Sequence, residues 1–261
     1  MSSLHNVLLL GGSGKVAQLL TPLLLQRSWN VTSIIRDPAQ VANLQKLGEG
    51  QAGKLNVLVR SLEDVTSDAQ AKSLIDEVKP DYVVWSAGAG GKGGPERTFK
   101  IDRDAACHFI RASVVTPSVT KFVMISYLGS RLQKPSWWSE EVWQEDLNTT
   151  RKILKNYYEA KIAADQVLYE EGKKRKDFAG ICLRPATLTL EPAGNVRLGK
   201  IPQATGTSSR ASVAHLTALL LDASNIKNCW LDMVDGDGNP AAEVKRCVDE
   251  GVDCAEGEPF Y

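Results

Sequence analysis

Val7-Leu8-Leu9-Leu10-Gly11-Gly12-Ser13-Gly14-Lys15-Val16-Ala17 is the stretch from which the rest of the chain is read. Four apolar residues in a row describe a strand buried on both faces. A glycine turn follows at once. Val16, Leu19, Leu20, Leu23 and Leu24 then recur at helical spacing. Trp29-Asn30 breaks that period, and Val31 to Ile35 reads as a second strand. Strand, glycine turn, helix and strand make a βαβ unit able to hold a dinucleotide. In such a unit Gly11 takes a backbone angle closed to side chains. Gly14 lets a pyrophosphate approach the helix start, and Ala17 lets the helix pack closely on the strand. The first helical amides, helped by the helix dipole, then face the phosphates. A tight turn that holds no ligand is the alternative.

Beyond this unit the elements keep alternating. Helix is expected over 38–47, 68–78, 102–113, 149–171, 211–222 and 240–250. Strand is expected over 55–59, 82–85, 121–125, 178–183 and 229–234. That alternation predicts an α/β protein whose mostly parallel sheet is covered by helices on both faces. Ligands of such sheets bind at the carboxyl ends of the strands. Residues 11–15, 36, 60–62, 86–91 and 126–131 each follow a strand, so they are expected on one rim.

The chain has 261 residues, enough for one α/β domain with a small appended lobe. It carries 31 Lys plus Arg and 31 Asp plus Glu, a net charge of zero. That balance argues against a general nucleic-acid or membrane surface. No stretch has the length and apolarity of a bilayer span, and Met1 to His5 lacks the signature of a signal peptide. The five cysteines are scattered without a Cys-x-x-Cys pair, and the three histidines lie far apart. A reduced, cytoplasmic compartment is expected, and no metal centre. Cys107 and Cys182 sit in apolar runs and read as core.

Arg36 follows the second strand, where an acidic residue would bind the ribose hydroxyls of NAD. Its planar fork suits a 2′-phosphate, and Lys15 adds charge nearby, so NADP (NADPH) is expected over NAD. A solvated strand-end arginine is the alternative. Ser61 and Leu62, after the third strand, are placed beside the adenine, and Arg60 is a candidate to stack on it.

Ser126 ends the fifth strand, and Tyr157 and Lys161 are four residues apart on one helix face. A tyrosine moves the proton that accompanies hydride transfer at a carbonyl. A nearby ammonium lowers its pKa and also holds a ribose. A serine hydroxyl polarises the substrate oxygen. These residues, with Gly11 to Ala17, Arg36, Ser86-Ala87-Gly88 and Leu183-Arg184-Pro185-Ala186, carry a resemblance. The chain resembles the short-chain dehydrogenase/reductase superfamily, in its atypical, NmrA-like branch of NAD(P)H-binding proteins, over residues 7–186.

The resemblance implies a doubly wound Rossmann sheet forming one domain over 1–261. Its cofactor-binding core covers about 1–186, and a substrate-side cap with C-terminal elements covers about 187–261. It implies that Gly11, Gly12, Ser13, Gly14, Lys15 and Val16 hold the pyrophosphate and Arg36 the 2′-phosphate. Ser86, Ala87 and Gly88 pass under the ribose. Lys161 touches the nicotinamide ribose, and Pro185 and Ala186 flank the nicotinamide. The chain departs from the family pattern at Ser61, where relatives place an acid, and in lacking an asparagine in the fourth-strand loop. Tyr158 is a rival to Tyr157, off the Lys161 face.

Three tryptophans, Trp137, Trp138 and Trp143, fall between Gly129 and Asn148. After the Ser126 strand they read either as an apolar lid or as a helical flap packed on its own domain or on a dimer partner. On the lid reading Tyr127, Trp137 and Trp138 contact substrate. Arg131 reads as a surface charge, and the acidic tail (Asp249, Glu250, Asp253, Glu256, Glu258) as a solvated end. The expected activity is NADPH-dependent reduction of a small carbonyl, quinone or related acceptor. The alternatives are a nucleotide sensor or regulator without turnover, and an isomerase or cyclase that retains NADP. The expected partner is a small molecule, with no nucleic acid or membrane, and the chain is expected to be a monomer or homodimer.

Overall fold

The computed structural model describes residues 4–90 and 93–261. Met1 to Ser3 and Gly91, the end of the expected second glycine loop, lie outside the described residues. In chain order the elements are β1 (Asn6–Leu10), α1 (Lys15–Leu25), β2 (Asn30–Ile35), α2 (Val41–Gln45), β3 (Leu55–Val59), α3 (Asp68–Val78), β4 (Tyr82–Trp85) and α4 (Gly94–Thr98). A π-helical segment, Phe99–Ala105, leads into α5 (Ala106–Val114) and β5 (Lys121–Ile125). Then come α6 (Glu140–Asn148), α7 (Thr150–Ile153), α8 (Lys155–Lys173), β6 (Ala179–Pro185), β7 (Thr187–Thr189) and β8 (Val196–Leu198). The chain closes with β9 (Thr207–Ser209), α9 (Arg210–Asp222), β10 (Cys229–Asp235) and α10 (Pro240–Glu250).

Eight strands form one sheet in the order β3-β2-β1-β4-β5-β6-β10-β8. Every pairing is parallel except β10 with β8. This is a Rossmann-like α/β fold. The apolar run of β1 follows from its central place. Leu8 and Leu10 enter the core cluster of Ile75, Phe109 and Leu168 on one face. Val7 and Leu9 enter the cluster of Leu20, Leu216 and Val244 on the other.

Several elements differ from the sequence reading. The expected 149–171 helix is two helices, α7 and α8, interrupted at Leu154, and α6 precedes them over 140–148. The helix expected from Asp102 begins eight residues earlier, at Gly94, and passes through the π segment. Within segment 187–261, β10 and β8 extend the central sheet. The strands β7, β8 and β9 have three residues each, too short for a period to register.

Two surface assignments are corrected. Arg131 is fully buried and pairs with Asp232, which also faces Arg184 Nε at 3.1 Å. Its Nη1 donates to the Cys254 carbonyl at 2.8 Å. The tail is not wholly solvated either. Glu258 is buried and accepts the Leu132 amide at 3.0 Å. Asp253 accepts the Trp230 amide at 2.9 Å and the Tyr169 hydroxyl at 2.8 Å. A net-neutral sequence gives no hint of which charges meet inside. Burial raises the pKa of both Asp253 and Glu258.

Candidate functional site

The strand order reverses between β1 and β4, and a cavity of about 260 Å³ opens there. Its lining includes Gly11, Ser13, Gly14, Arg36, Ser61, Leu62, Ser86, Ala87 and Gly88. Gly12, Lys15 and Val16 continue the same turn into α1. Gly11 has φ +84°, and a Cβ there would lie 2.6 Å from Ala87 Cα. The two strand ends therefore touch through a position open only to glycine. Gly14 is the N-cap of α1 and supplies no side chain, so the first-turn amides stay available. These features suit a pyrophosphate.

Arg36 behaves less simply than the sequence implies. It is well exposed, and its Nη1 donates to Glu63 Oε1 at 2.7 Å. Arg97 Nε reaches the same oxygen at 2.9 Å. Hydrogen bonds and charge from the two guanidinium groups hold the Glu63 carboxyl below its ordinary range. Arg97 and Glu63 are residues the sequence reading missed. Ser61 caps the short turn at Leu62–Asp64, its Oγ accepting the Glu63 amide at 3.2 Å. Arg60 lines the cavity, but its guanidinium donates to the Val59 carbonyl at 2.9 Å.

At the other end of the rim, α8 presents Tyr157, Lys161 and Asp165 at successive four-residue steps on one face. Ser126 Oγ donates to Asp165 Oδ2 at 2.5 Å. Lys161 Nζ donates to the Ile125 carbonyl at 2.8 Å. Asp102, on the π segment, accepts the Ala89 amide at 2.8 Å. A Cβ on Gly88 would lie 2.8 Å from Asp102 Oδ1, so the fourth-strand loop runs directly over this carboxylate. Burial raises the Asp102 pKa, and the Lys161 charge opposes that rise. Contrary to the lowering expected from Lys161, burial, followed by the Asp102 and Asp165 charges, pushes the Tyr157 phenol up. The sequence reading missed Asp165, although its spacing to Lys161 is a signal that could have found it. Asp102 had a fainter signal, a carboxylate on the apolar stripe of Ile101, Ala105, Ala106 and Phe109.

The Tyr127 ring tilts against Tyr157 at 5.2 Å between centroids. Tyr158 donates to the Arg131 carbonyl at 2.9 Å, which commits its hydroxyl to holding the loop. Trp138 is buried and donates to the Ile201 carbonyl at 2.8 Å. It packs with Leu128, Ile201 and Val234, flanked by Trp137 and Trp143. Trp137 also lies under the Arg131 guanidinium, 5.1 Å from its ring centre. Trp137 and Trp138 are thus packed within the chain. Pro185 ends β6, and its carbonyl accepts the Leu128 amide at 3.0 Å. Ala186 follows and donates to Ser208 Oγ at 3.1 Å.

Residues 11–224 match the sequence pattern of the NAD(P)H-binding family. The chain belongs to that family. The NAD(P)H-binding family match spans both the nucleotide cavity and the Tyr157–Lys161 face. A UPF0659 protein of Schizosaccharomyces pombe is 34% identical over 87% of this chain and 88% of its own length. An uncharacterised sugar epimerase of Bacillus subtilis is 29% identical over 92% of this chain and 98% of its own. The structure of a putative NAD-dependent epimerase/dehydratase from Bacillus halodurans superposes with a TM-score of 0.74 at 23% identity. It covers 93% of this chain and 99% of that one, and the likeness shows the shared fold. As an NAD(P)H-binding protein the chain is oxidoreductase-like. No helix among its described residues is long and apolar enough to cross a membrane.

Proposed function

We propose that this NAD(P)H-binding protein is an NADPH-dependent reductase of a small carbonyl, quinone or related acceptor. The observation that supports the proposal is that Lys161, one turn from Tyr157 on the same face of α8, reaches the Ile125 carbonyl beside Ser126 at the end of β5. Gly11 to Val16 hold the pyrophosphate, and Arg36 holds the 2′-phosphate. Ser61 and Leu62 lie along the adenine, and Ser86 to Gly88 lie under the ribose. Pro185 and Ala186 flank the nicotinamide. When bound, NADPH supplies the hydride.

Tyr157 holds the proton that the acceptor oxygen takes up. Its high pKa keeps that proton in place at neutral pH. Lys161 balances the phenolate left behind. Asp165 accepts the Ser126 hydroxyl proton and so fixes that side chain at the end of β5. Five buried, unpaired thiols support a reduced compartment such as the cytoplasm. Burial raises their pKa, Cys107 to about 11 and Cys247 to about 12.

The test is NADPH oxidation against a panel of quinones and aldehydes. Tyr157→Phe is expected to abolish turnover and leave NADPH binding nearly intact. No turnover by the parent across the panel moves the assignment to a second reading, an epimerase or isomerase that retains NADP. That reading is favoured by the name of the Bacillus subtilis relative and by the commitment of the Ser126 proton to Asp165.

A further inference from the structure

One carboxylate oxygen, Glu63 Oε1, sits between two guanidinium groups at the mouth of the nucleotide cavity. Arg36 Nη1 lies 2.7 Å from it and Arg97 Nε 2.9 Å. The three residues come from three elements, the end of β2, the turn after β3, and α4. Their meeting is therefore a product of the fold and not of local sequence. The two arms differ. Arg97 is mostly buried and also bonds the Ala89 carbonyl at 3.3 Å. Arg36 has 59% of its side chain exposed. A fixed arm and a movable arm around one anionic oxygen make a bracket, and planar guanidinium forks suit phosphate as well as carboxylate.

The charges in the bracket decide what it accepts. Two cations and one carboxylate leave a single positive charge. A ribose 2′-phosphate brings about −1.5 to −2 at neutral pH. With Glu63 in place the sum is negative. With Glu63 withdrawn, the phosphate and the two arginines balance. A ribose bearing only hydroxyls imposes no such conflict, and the carboxylate remains as an acceptor for them.

We propose that Glu63 is the internal occupant of a 2′-phosphate bracket built by Arg36 and Arg97, and that it sets the selectivity between NADPH and NADH. To admit NADPH the carboxylate leaves the bracket, and for NADH it stays. The inference rests on the nucleotide assignment given above, and it adds Arg97 as the second arm and Glu63 as the competitor.

Glu63→Gln in the full chain is the decisive variant. The amide keeps an oxygen that both guanidinium groups can reach, so the turn retains its contacts while the charge is gone. Dissociation constants for NADPH and NADH are read by fluorescence titration. NADPH is expected to bind roughly tenfold tighter than to the parent, and NADH within about twofold of it. Unchanged or weaker NADPH binding, or equal tightening for both dinucleotides, overturns the proposal. Arg36→Ala separates the two levels of failure. If that variant weakens NADPH while Glu63→Gln does not strengthen it, the bracket binds phosphate and only the Glu63 role is wrong. If Arg36→Ala leaves NADPH unaffected, the NADP assignment falls with it.

Discussion

Ser126 and Asp165, 39 residues apart in sequence, share a buried hydrogen bond of 2.5 Å in which the hydroxyl donates to the carboxylate. Asp165 thus reaches the reacting end of the rim twice. It fixes the serine, and its charge adds to the upward push on the Tyr157 phenol, after burial and Asp102.

Asp165→Asn removes that charge. Losing a neighbouring negative charge lowers the Tyr157 pKa, so the basic limb of the kcat profile moves to lower pH. A fall in kcat of about tenfold is expected from the loosened serine, with NADPH affinity unchanged. A fall in kcat with a basic limb that does not move would show a structural role alone.

The buried group of Arg131, Arg184 and Asp232 is a stability determinant. Asp232 is the acid between two fully buried guanidinium groups. Asp232→Ala leaves both cations without it in a dry site. A loss of about 3–5 kcal/mol is expected in urea unfolding. A loss below about 1 kcal/mol would mean that water reaches the pair and screens it.

Trp138 distinguishes packing from substrate contact. Trp138→Phe deletes the indole N–H that satisfies the Ile201 carbonyl. The cost expected is about 1–3 kcal/mol in stability, visible as a lower Tm, with KM unchanged. A raised KM at constant Tm would place Trp138 against substrate instead.

The nucleotide end was the most legible part of the chain. Gly11, Gly14 and Ala17 are local devices, and a strand followed by a helix needs only neighbours in sequence to be recognised. The bounds of β3, α3, β4, β5 and α10 coincide with the segments expected from their patterns. The other end was legible where one helix carries it, since Tyr157 and Lys161 share a face by spacing alone; Asp165, one step further on that face, was missed. The π segment was not legible, because its wider turn breaks the period by which helices are read.

By itself the sequence determined the βαβ start, the parallel sheet and the helix face that bears Tyr157 and Lys161. These follow from periodicity and turn chemistry, which act over a few residues. Only the tertiary structure decided which charges meet. It set Glu63 between Arg36 and Arg97, Asp102 under the Gly88 loop, and Asp232 between Arg131 and Arg184. A charge finds its partner across strands and helices that are adjacent in space and distant in the chain. Burial then sets the strength of each pairing, and neither quantity is a property of local sequence.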